Sequence, residues 1–467
     1  MATVSKHKKV RMVKQKLKLF RANEPLKSVL MWGINYSFST LNHVKPRALL
    51  LKDDFKAHMK VKVNNHYFNK ENMPSRFKFK EYCPMVFKSL RDRFGVKKMD
   101  YWDAFTRYQP LWDSTRGKSG SKFLVTYNRQ FVAKTISSEE VEQMHHMLEE
   151  YYSYIVKGHG QTLLPQYLGL YRLTVNDQET YILVMRNVFS PRLAIHKKYD
   201  LKGSAVDREA NEKEKSKPLP TLKDADFLTD ICKIHIGEEA KKKLLSTLES
   251  DILFLQENNL IDYSLLIGVH DPEIALTTSN ENDGDDVEGT GDSVLDASRA
   301  FEDKVVSAGD GLGTLVSHGQ YTHPSTTRSS IALGLASSGT GGGGTGNVST
   351  GDDDDDEEEG VLIPDSNAQV PPNDLTPPDS PPGAICLPQL FSGDLHPSLE
   401  CYGIKGSTDS PHSMVYFVAI IDILTRYGMR KRTAQTYKTV KHGSDVTSVK
   451  PEFYGRRLLD FVEQCVD

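Results

Sequence analysis

Between residues 272 and 400 the chain loses the periodic patterns that packed elements leave, and this interruption limits the fold more than any motif does. Gly341 to Gly344 is a glycine tract, and Asp352 to Glu359 is a run of eight consecutive acids. Too little apolar surface is available there to offset the entropy of ordering a backbone. The segment is expected to be a long disordered acidic insert, so the folded body must be assembled from the two flanks. The downstream flank holds Val415-Tyr416-Phe417-Val418-Ala419-Ile420-Ile421, an apolar run ending at Asp422 that reads as a buried strand. Such a strand needs neighbours, and the upstream flank has to supply them.

That flank carries clear patterns. Phe123 to Tyr127 and Phe131 to Thr135 read as strands joined by the polar turn Asn128-Arg129-Gln130. Ser137-Ser138-Glu139-Glu140 is a helix start, with capping side chains and early acids. Val141, Met144, Leu148, Tyr151 and Ile155 follow at helical spacing. Leu168 to Leu173 and Thr180 to Met185 predict two more strands, turned at Asn176-Asp177. A second amphipathic helix over 238–257 delivers the chain to Asp262, and Ser264 to Val269 is a strand. Pro84 to Phe94 reads as a helix, whereas the rest of 22–110 mixes short apolar runs with aromatics. After the insert, Thr433 to Val440 suits a short helix and Pro451 to Val462 a closing amphipathic one. The sum predicts an α+β fold around an antiparallel sheet core.

Charge separates the two parts further. The formal net charge of −3 hides 3 basic against 24 acidic side chains in 272–400; totals of 59 and 62 then leave 56 basic and 38 acidic on the remainder. The first twenty residues hold seven Lys or Arg and no acid, which suits a basic flexible arm over 1–21. A basic body implies a polyanionic partner, and without a recognised nucleic-acid motif an anionic membrane surface is favoured over nucleic acid. No apolar run is long enough to span a bilayer. Cysteines 83, 232, 386, 401 and 465 form no CxxC pair, which fits a reducing compartment without disulfides or zinc.

Residues 198–204 read Lys198-Tyr199-Asp200-Leu201-Lys202-Gly203-Ser204. Lysines two apart share a face of an extended strand, and both ammonium groups can neutralise phosphate oxygens. Gly203 would let backbone N–H groups approach the same oxygens. Alone, the heptad also suits a surface turn. Upstream, the apolar run from Tyr181 breaks at Arg186-Asn187-Val188-Phe189; downstream stands Ile261-Asp262-Tyr263-Ser264-Leu265-Leu266. This ordered trio resembles the phosphatidylinositol phosphate kinases, and most of all their type II branch, the phosphatidylinositol 5-phosphate 4-kinases. The resemblance covers residues 15–271 and 401–467.

The residues permit a reading beside the resemblance. Phosphoryl transfer needs positioning and charge neutralisation more than covalent help. Small residues in Arg116-Gly117-Lys118-Ser119-Gly120-Ser121 could let backbone cover nucleotide phosphates, with Ser119 and Gly120 the candidates. A P-loop is excluded, because Trp112 stands at its first glycine and a strand follows instead of a helix. Lys134, late in an apolar strand, either reaches phosphate or snorkels at an edge; its acidic partner could be Glu139, Glu140 or Glu142. Asp262 and Asp422 each end a buried strand, where a carboxylate calls for a cation such as Mg²⁺ unless it merely caps a turn. Exposed backbone at Arg186-Asn187-Val188, with Val188 or Phe189 against a ring face, suits a purine. Met185 offers the base no hydroxyl, which favours ATP over the alternative donor GTP.

The resemblance adds roles to these positions. It implies a two-lobed kinase-like fold with a flat basic membrane face. It makes Lys134 the nucleotide lysine, places the base at Arg186, Asn187, Val188 and Phe189, and sets Lys198 on the nucleotide. It counts Asp262, Lys202 and Asp200 as catalytic, with Asp422 and Asp262 as metal ligands. An activation loop over 428–448 is implied, and Arg430, Lys431, Arg432 and Lys438 suit anionic lipid. Ala434 stands where type I enzymes have Glu, which implies 4-OH phosphorylation of phosphatidylinositol 5-phosphate. Gln435 departs from the usual type II His, and Gly428-Met429 departs too.

The expected organisation is the basic arm; an N-terminal part over 22–115 that the resemblance makes a homodimer contact; a nucleotide-binding lobe over 116–190; and a second lobe split between 191–271 and 401–467, with 272–400 inserted. The expected location is the cytoplasm and inner membrane surfaces, with the nucleus as a further site. The rivals are a phosphatidylinositol 4-phosphate 5-kinase and a weakly active phosphoinositide-binding scaffold.

Overall fold

The computed structural model describes residues 22–44, 49–65, 72–113, 120–231, 233–275, 391, 395–407, 413–428 and 450–467. The chain divides into two units, 1–281 with 365–467 and 282–364, and every described residue belongs to the first.

A seven-stranded antiparallel sheet is ordered β1-β2-β6-β7-β5-β4-β3. Its strands are β1 (His58–Asn64), β2 (Arg76–Tyr82), β3 (Leu111–Trp112), β4 (Phe123–Val125), β5 (Phe131–Ile136), β6 (Tyr167–Val175) and β7 (Gln178–Arg186). The strands foreseen in 123–185 all form. Unforeseen are β1, β2 and the two-residue β3, and β2 pairs with β6 from Phe77↔Val175 to Tyr82↔Leu170. Part of 22–115 is thus one sheet with the strands downstream. The signal was present: HMKVKVN and RFKFKEY alternate charged and apolar residues, the period of a half-buried strand.

Helices α1 (Pro25–Asn42), α2 (Pro84–Arg93), α3 (Lys98–Thr106) and α4 (Ser138–Lys157) complete this half. α1 starts with Pro25 and packs so closely on β2 that a Cβ at Gly33 would lie 2.0 Å from the Phe79 ring. It was not legible as amphipathic because it buries residues on several sides, among them Val29, Leu30, Met31, Ile34 and Ser37. α4 opens with a capping box: the Ser137 hydroxyl accepts the Glu140 N–H, and the Glu140 carboxylate accepts the Ser137 N–H at 2.8 Å.

A second sheet, ordered β11-β12-β10-β8-β9, holds β8 (Lys197–Leu201), β9 (Thr221–Leu222), β10 (Ser264–His270), β11 (Gly403–Lys405) and β12 (Val415–Ile421). The two flanks meet here as expected. β12 pairs with β10 along its whole length, from Ser264↔Ile421 to His270↔Val415, and Val415 to Ile420 are buried. The short β8–β9 pair is parallel, beside the otherwise antiparallel pairs of this sheet. After the short helices α5 (Glu212–Lys215) and α6 (Asp224–Asp230), α7 (Glu238–Glu257) and α8 (Pro451–Cys465) pack together, with Gly455 against Ile252. No helix among the described residues is long and apolar enough to cross a membrane.

Candidate active site

Lys134 sits opposite Phe123 and Leu183 in β5 and is 8% exposed. Its Nζ lies 2.9 Å from Asp422 Oδ1 and 3.6 Å from Glu140 Oε1. Burial alone would depress this ammonium, but Asp422 and Glu140 outweigh it and hold Lys134 above the ordinary lysine value. Of the three acids left open by the sequence, Glu140 is the one in contact. Its other oxygen closes the capping box, so one carboxylate fixes the helix start and the lysine together.

Asp262 and Asp422 leave the second sheet at one edge, because the Ser264↔Ile421 pairing sets the start of β10 beside the end of β12. Both adopt left-handed backbone, φ 63° and 60°, which turns the chain sharply there. Lys202 Nζ donates to the Asp262 carbonyl oxygen at 2.5 Å. Burial lowers the Lys202 pKa, opposed by the nearby charges of Asp262, Asp200 and Asp422. Lys134, Lys202, Asp262 and Asp422 are therefore gathered in one place.

Lys198 and Asp200 share the more open face of β8, with Lys202 one residue beyond its end, while Tyr199 and Leu201 point into the core. Asp200 is committed to Lys223 and Arg208, which overcome its burial and hold its carboxyl far below the usual carboxylate range. Lys198 is pulled down by burial, with Asp113 and Glu214 opposing.

The glycine corner does not do what the sequence suggested. The N–H groups of Lys202, Gly203 and Ser204 all donate to Asp224 Oδ1, at 2.8, 2.8 and 3.3 Å. They are spent on a protein carboxylate that is fully buried, and Arg208 Nε holds its other oxygen at 2.8 Å. Gly203 is required for another reason: its φ is +72°, and a Cβ would lie 2.8 Å from the Arg457 carbonyl oxygen.

At the strand end after β7 the side chains are engaged within the protein. The Arg186 guanidinium is buried and donates to Gln166 Oε1 at 2.6 Å, Ser398 O at 2.6 Å and Phe94 O at 2.8 Å. Three of its five N–H donors are thereby tied to the protein, and the side chain is held inside the fold. Asn187 likewise braces the turn, donating from its amide to Arg129 O and accepting the Phe189 N–H. Val188 packs on Cys401, Tyr402 and Ala419, and the hydrogen bonds of its neighbours pass it by. Phe189 covers Gly268, where a Cβ would be 2.4 Å from its ring. Gly120 has φ +79°, and among the described residues nothing lies within 4 Å of a Cβ placed there. Ser119, Arg430, Lys431, Arg432, Ala434 and Lys438 lie outside the described residues.

Arg208, Lys223, Asp224 and Glu400 were not legible from sequence. Glu400, with a wholly buried side chain, accepts from Ser190 Oγ at 2.9 Å and from Arg192 at 2.9 and 2.8 Å. These pairs join segments remote in sequence, and no local period announces them. Among the described residues no group of three or more His, Cys, Asp or Glu could enclose a metal ion. Two carboxylates at one strand edge nonetheless suit a hard cation that takes its remaining oxygens from phosphate and water.

The profile of the family described as Phosphatidylinositol-4-phosphate 5-Kinase matches residues 107–465. The chain is 44% identical over 455 residues to phosphatidylinositol 5-phosphate 4-kinase type-2 beta of Homo sapiens, covering 97% of this chain and 92% of that protein. It is also 44% identical over 469 residues to the type-2 alpha protein of Gallus gallus, covering 99% and 96%. The profile's description names a 5-kinase and these relatives are named 4-kinases.

Proposed function

Because the chain belongs to the phosphatidylinositol-4-phosphate 5-kinase family, and so uses ATP, we propose that it transfers the ATP γ-phosphate to the 4-hydroxyl of phosphatidylinositol 5-phosphate. The product is phosphatidylinositol 4,5-bisphosphate. The observation that carries this reading is the meeting of Lys134, Lys202, Asp262 and Asp422 between the two sheets. The 4-hydroxyl is favoured by the names of relatives that match nearly the whole chain, and by Ala434 in the sequence.

Asp422 and Asp262 would hold Mg²⁺, which when bound supplies positive charge to the phosphate oxygens. Lys134, now held by Asp422 and Glu140, is placed to turn its ammonium to the nucleotide phosphates. Lys202 neutralises the transferring or acceptor phosphate. Asp262 accepts the proton of the inositol hydroxyl, the one base this transfer needs. Val188 and Phe189 offer backbone and ring to the purine. Arg186 serves by fixing the strand end on which they sit.

The acceptor lies in a membrane. Lys60 and Lys80 stand opposite each other across β1 and β2, with Lys62 opposite Lys78 on a neighbouring rung, while Arg172 beyond Lys80 is paired with Glu179 at 3.3 Å. Like charges directly opposite are unfavourable in a sheet, so a row of them favours a polyanionic surface. A homodimer, and residence in the cytoplasm, on inner membrane surfaces and in the nucleus, complete the proposal.

The test is transfer from radiolabelled ATP to vesicles holding either monophosphate, followed by product identification. Label at the 4-position of phosphatidylinositol 5-phosphate is expected. Label only at the 5-position of phosphatidylinositol 4-phosphate establishes the other regiochemistry, and no label on either lipid leaves a lipid-binding scaffold.

A further inference from the structure

Asp251, on α7, is fully buried, and among the described residues it forms no ion pair with a Lys or Arg. Three donors converge on its carboxylate. The Tyr154 hydroxyl donates at 2.6 Å, the Thr162 hydroxyl at 2.6 Å and the Leu163 N–H at 2.7 Å. Tyr154 belongs to the last turns of α4, whereas Thr162 and Leu163 lie in the link from α4 to β6. A buried carboxylate without a counter-ion is costly, and three short charge-assisted hydrogen bonds are what make it tolerable. Packing alone would be served as well by an apolar side chain; an acceptor for three donors from two segments is a tighter requirement.

Those donors lead to the active site by two routes. Along the first, α4 runs back from Tyr154 to Glu140, fourteen residues or about 21 Å of rigid helix, and Glu140 meets Lys134. Along the second, the Leu163 carbonyl accepts the Ile420 N–H at 2.7 Å, at the edge of β12 and two residues before Asp422. The Lys134–Asp422 contact at 2.9 Å joins the routes. The contacts thus close a ring: Asp251, Tyr154, α4, Glu140, Lys134, Asp422, Ile420, Leu163 and back to Asp251. The carboxylate is the point at which α4 and the strand that carries Asp422 are referred to one frame.

Resting on the kinase reading above, we propose that Asp251 is a positioning residue, which sets the Lys134–Asp422 geometry for phosphoryl transfer by holding α4 and the 162–164 link together. It touches neither nucleotide nor lipid. It acts through Glu140 on one side and through β12 on the other. An amide at this position offers one acceptor oxygen and presents an NH₂ group to donors, so Asp251→Asn loosens the ring while keeping its volume.

The full chain carrying Asp251→Asn is compared with wild type in melting temperature, ATP KM, kcat on vesicles with phosphatidylinositol 5-phosphate, and amide hydrogen exchange. The expected result is melting within a few degrees, ATP KM within about twofold, and kcat lower by about tenfold or more. Faster exchange is expected at 138–142 and 420–422, far from the substitution. Combining Asp251→Asn with Glu140→Gln should lower kcat little beyond Glu140→Gln alone, since both act through the placement of Lys134. Unchanged kcat, fully multiplicative losses, or faster exchange confined to 151–164 overturns the proposal. Should Asp251→Asn fail to fold, Tyr154→Phe removes one donor at the end of α4. A threefold or larger loss of kcat with faster exchange at 138–142 then supports the ring, and wild-type values overturn it. A wild-type chain inactive on both monophosphates defeats the kinase reading, and exchange at 138–142 and 420–422 still decides on the positioning role.

Discussion

Two clusters of opposite charge lie near one another in this protein and differ in how completely they are closed. At the first, Lys134 is shared by Glu140 and Asp422, and the Asp422 side chain is 58% exposed. At the second, Asp200 and Asp224 are matched by Lys223 and Arg208, and Asp224 also takes three backbone N–H groups. There the Lys223 and Asp224 side chains are 4% and 0% exposed. The open cluster has charge that a phosphate or cation can claim. The closed one has none to spare, and its work is to hold the Gly203 turn and Lys202 in place. The same residue types therefore serve chemistry in one cluster and architecture in the other, and exposure together with saturation tells them apart.

Substitution can break that distinction. Asp422→Asn should lower lipid phosphorylation by about three orders of magnitude while leaving the melting temperature within a few degrees, since an exposed carboxylate adds little to stability. Turnover within tenfold of wild type would remove Asp422 from the chemistry and erase the contrast. Asp224→Ala should do the reverse. It leaves Arg208 Nε and three N–H groups without their acceptor in a buried place, a loss of about 3–5 kcal/mol. Chemical denaturation measures it, and a loss below about 1 kcal/mol would mean that the second cluster is not closed.

The same difference explains what could be read in advance. Lys134, Asp262 and Asp422 were legible because each ends or interrupts an apolar strand, a local pattern that a sequence displays. Strands β4 to β7 and β10 and helices α4 and α7 were legible for the same reason. The closed cluster was not, since Arg208, Lys223 and Asp224 lie in turns and at a short helix start, and only the tertiary fold brings them to Asp200. The heptad was half legible. The shared face of Lys198 and Asp200 follows from strand geometry, but whether the Gly203 N–H groups face a phosphate or a protein carboxylate depends on Asp224, twenty-one residues on. The partners of the Arg186 side chain were not legible either, because Gln166, Ser398 and Phe94 reach it only through the tertiary fold. α1 and β1–β2 were missed through burial on several sides and through short, lysine-rich alternation.

A smaller effect sharpens the role of the turn between the clusters. Gly203→Ala puts a Cβ in the left-handed region and 2.8 Å from both the Arg457 carbonyl oxygen and the Leu458 Cα, neither of which is a flexible side-chain end. A destabilisation of about 1–3 kcal/mol is expected. Because α8 must shift and Lys202 is the preceding residue, kcat should fall with it. A variant as stable and active as wild type would show that the turn is not a fixed part of the site.

The smallest expected effect concerns Asp251, which belongs to neither cluster because hydrogen bonds, not cations, surround it. Burial pushes its carboxyl up, against the lowering by Thr162, Tyr154 and Leu163, from 3.8 to about 6. A folded-state pKa above the unfolded one means that the folded protein binds the proton more tightly, so its stabilising contribution is complete below the unfolded value and fades as pH rises through about 6. Between pH 5 and pH 8 wild type should therefore lose on the order of 1 kcal/mol that Asp251→Asn, with nothing to titrate there, does not lose. Denaturation of both proteins at the two pH values gives the quantity directly as a difference of differences, in which the other titrating groups cancel. A gap that stays constant would place the Asp251 pKa near the ordinary carboxylate range, and its three donors would then outweigh the burial. A gap that moves toward the variant, beside a fall in its kcat, would mean that the ionised carboxylate costs stability and is kept for the placement of α4 and β12.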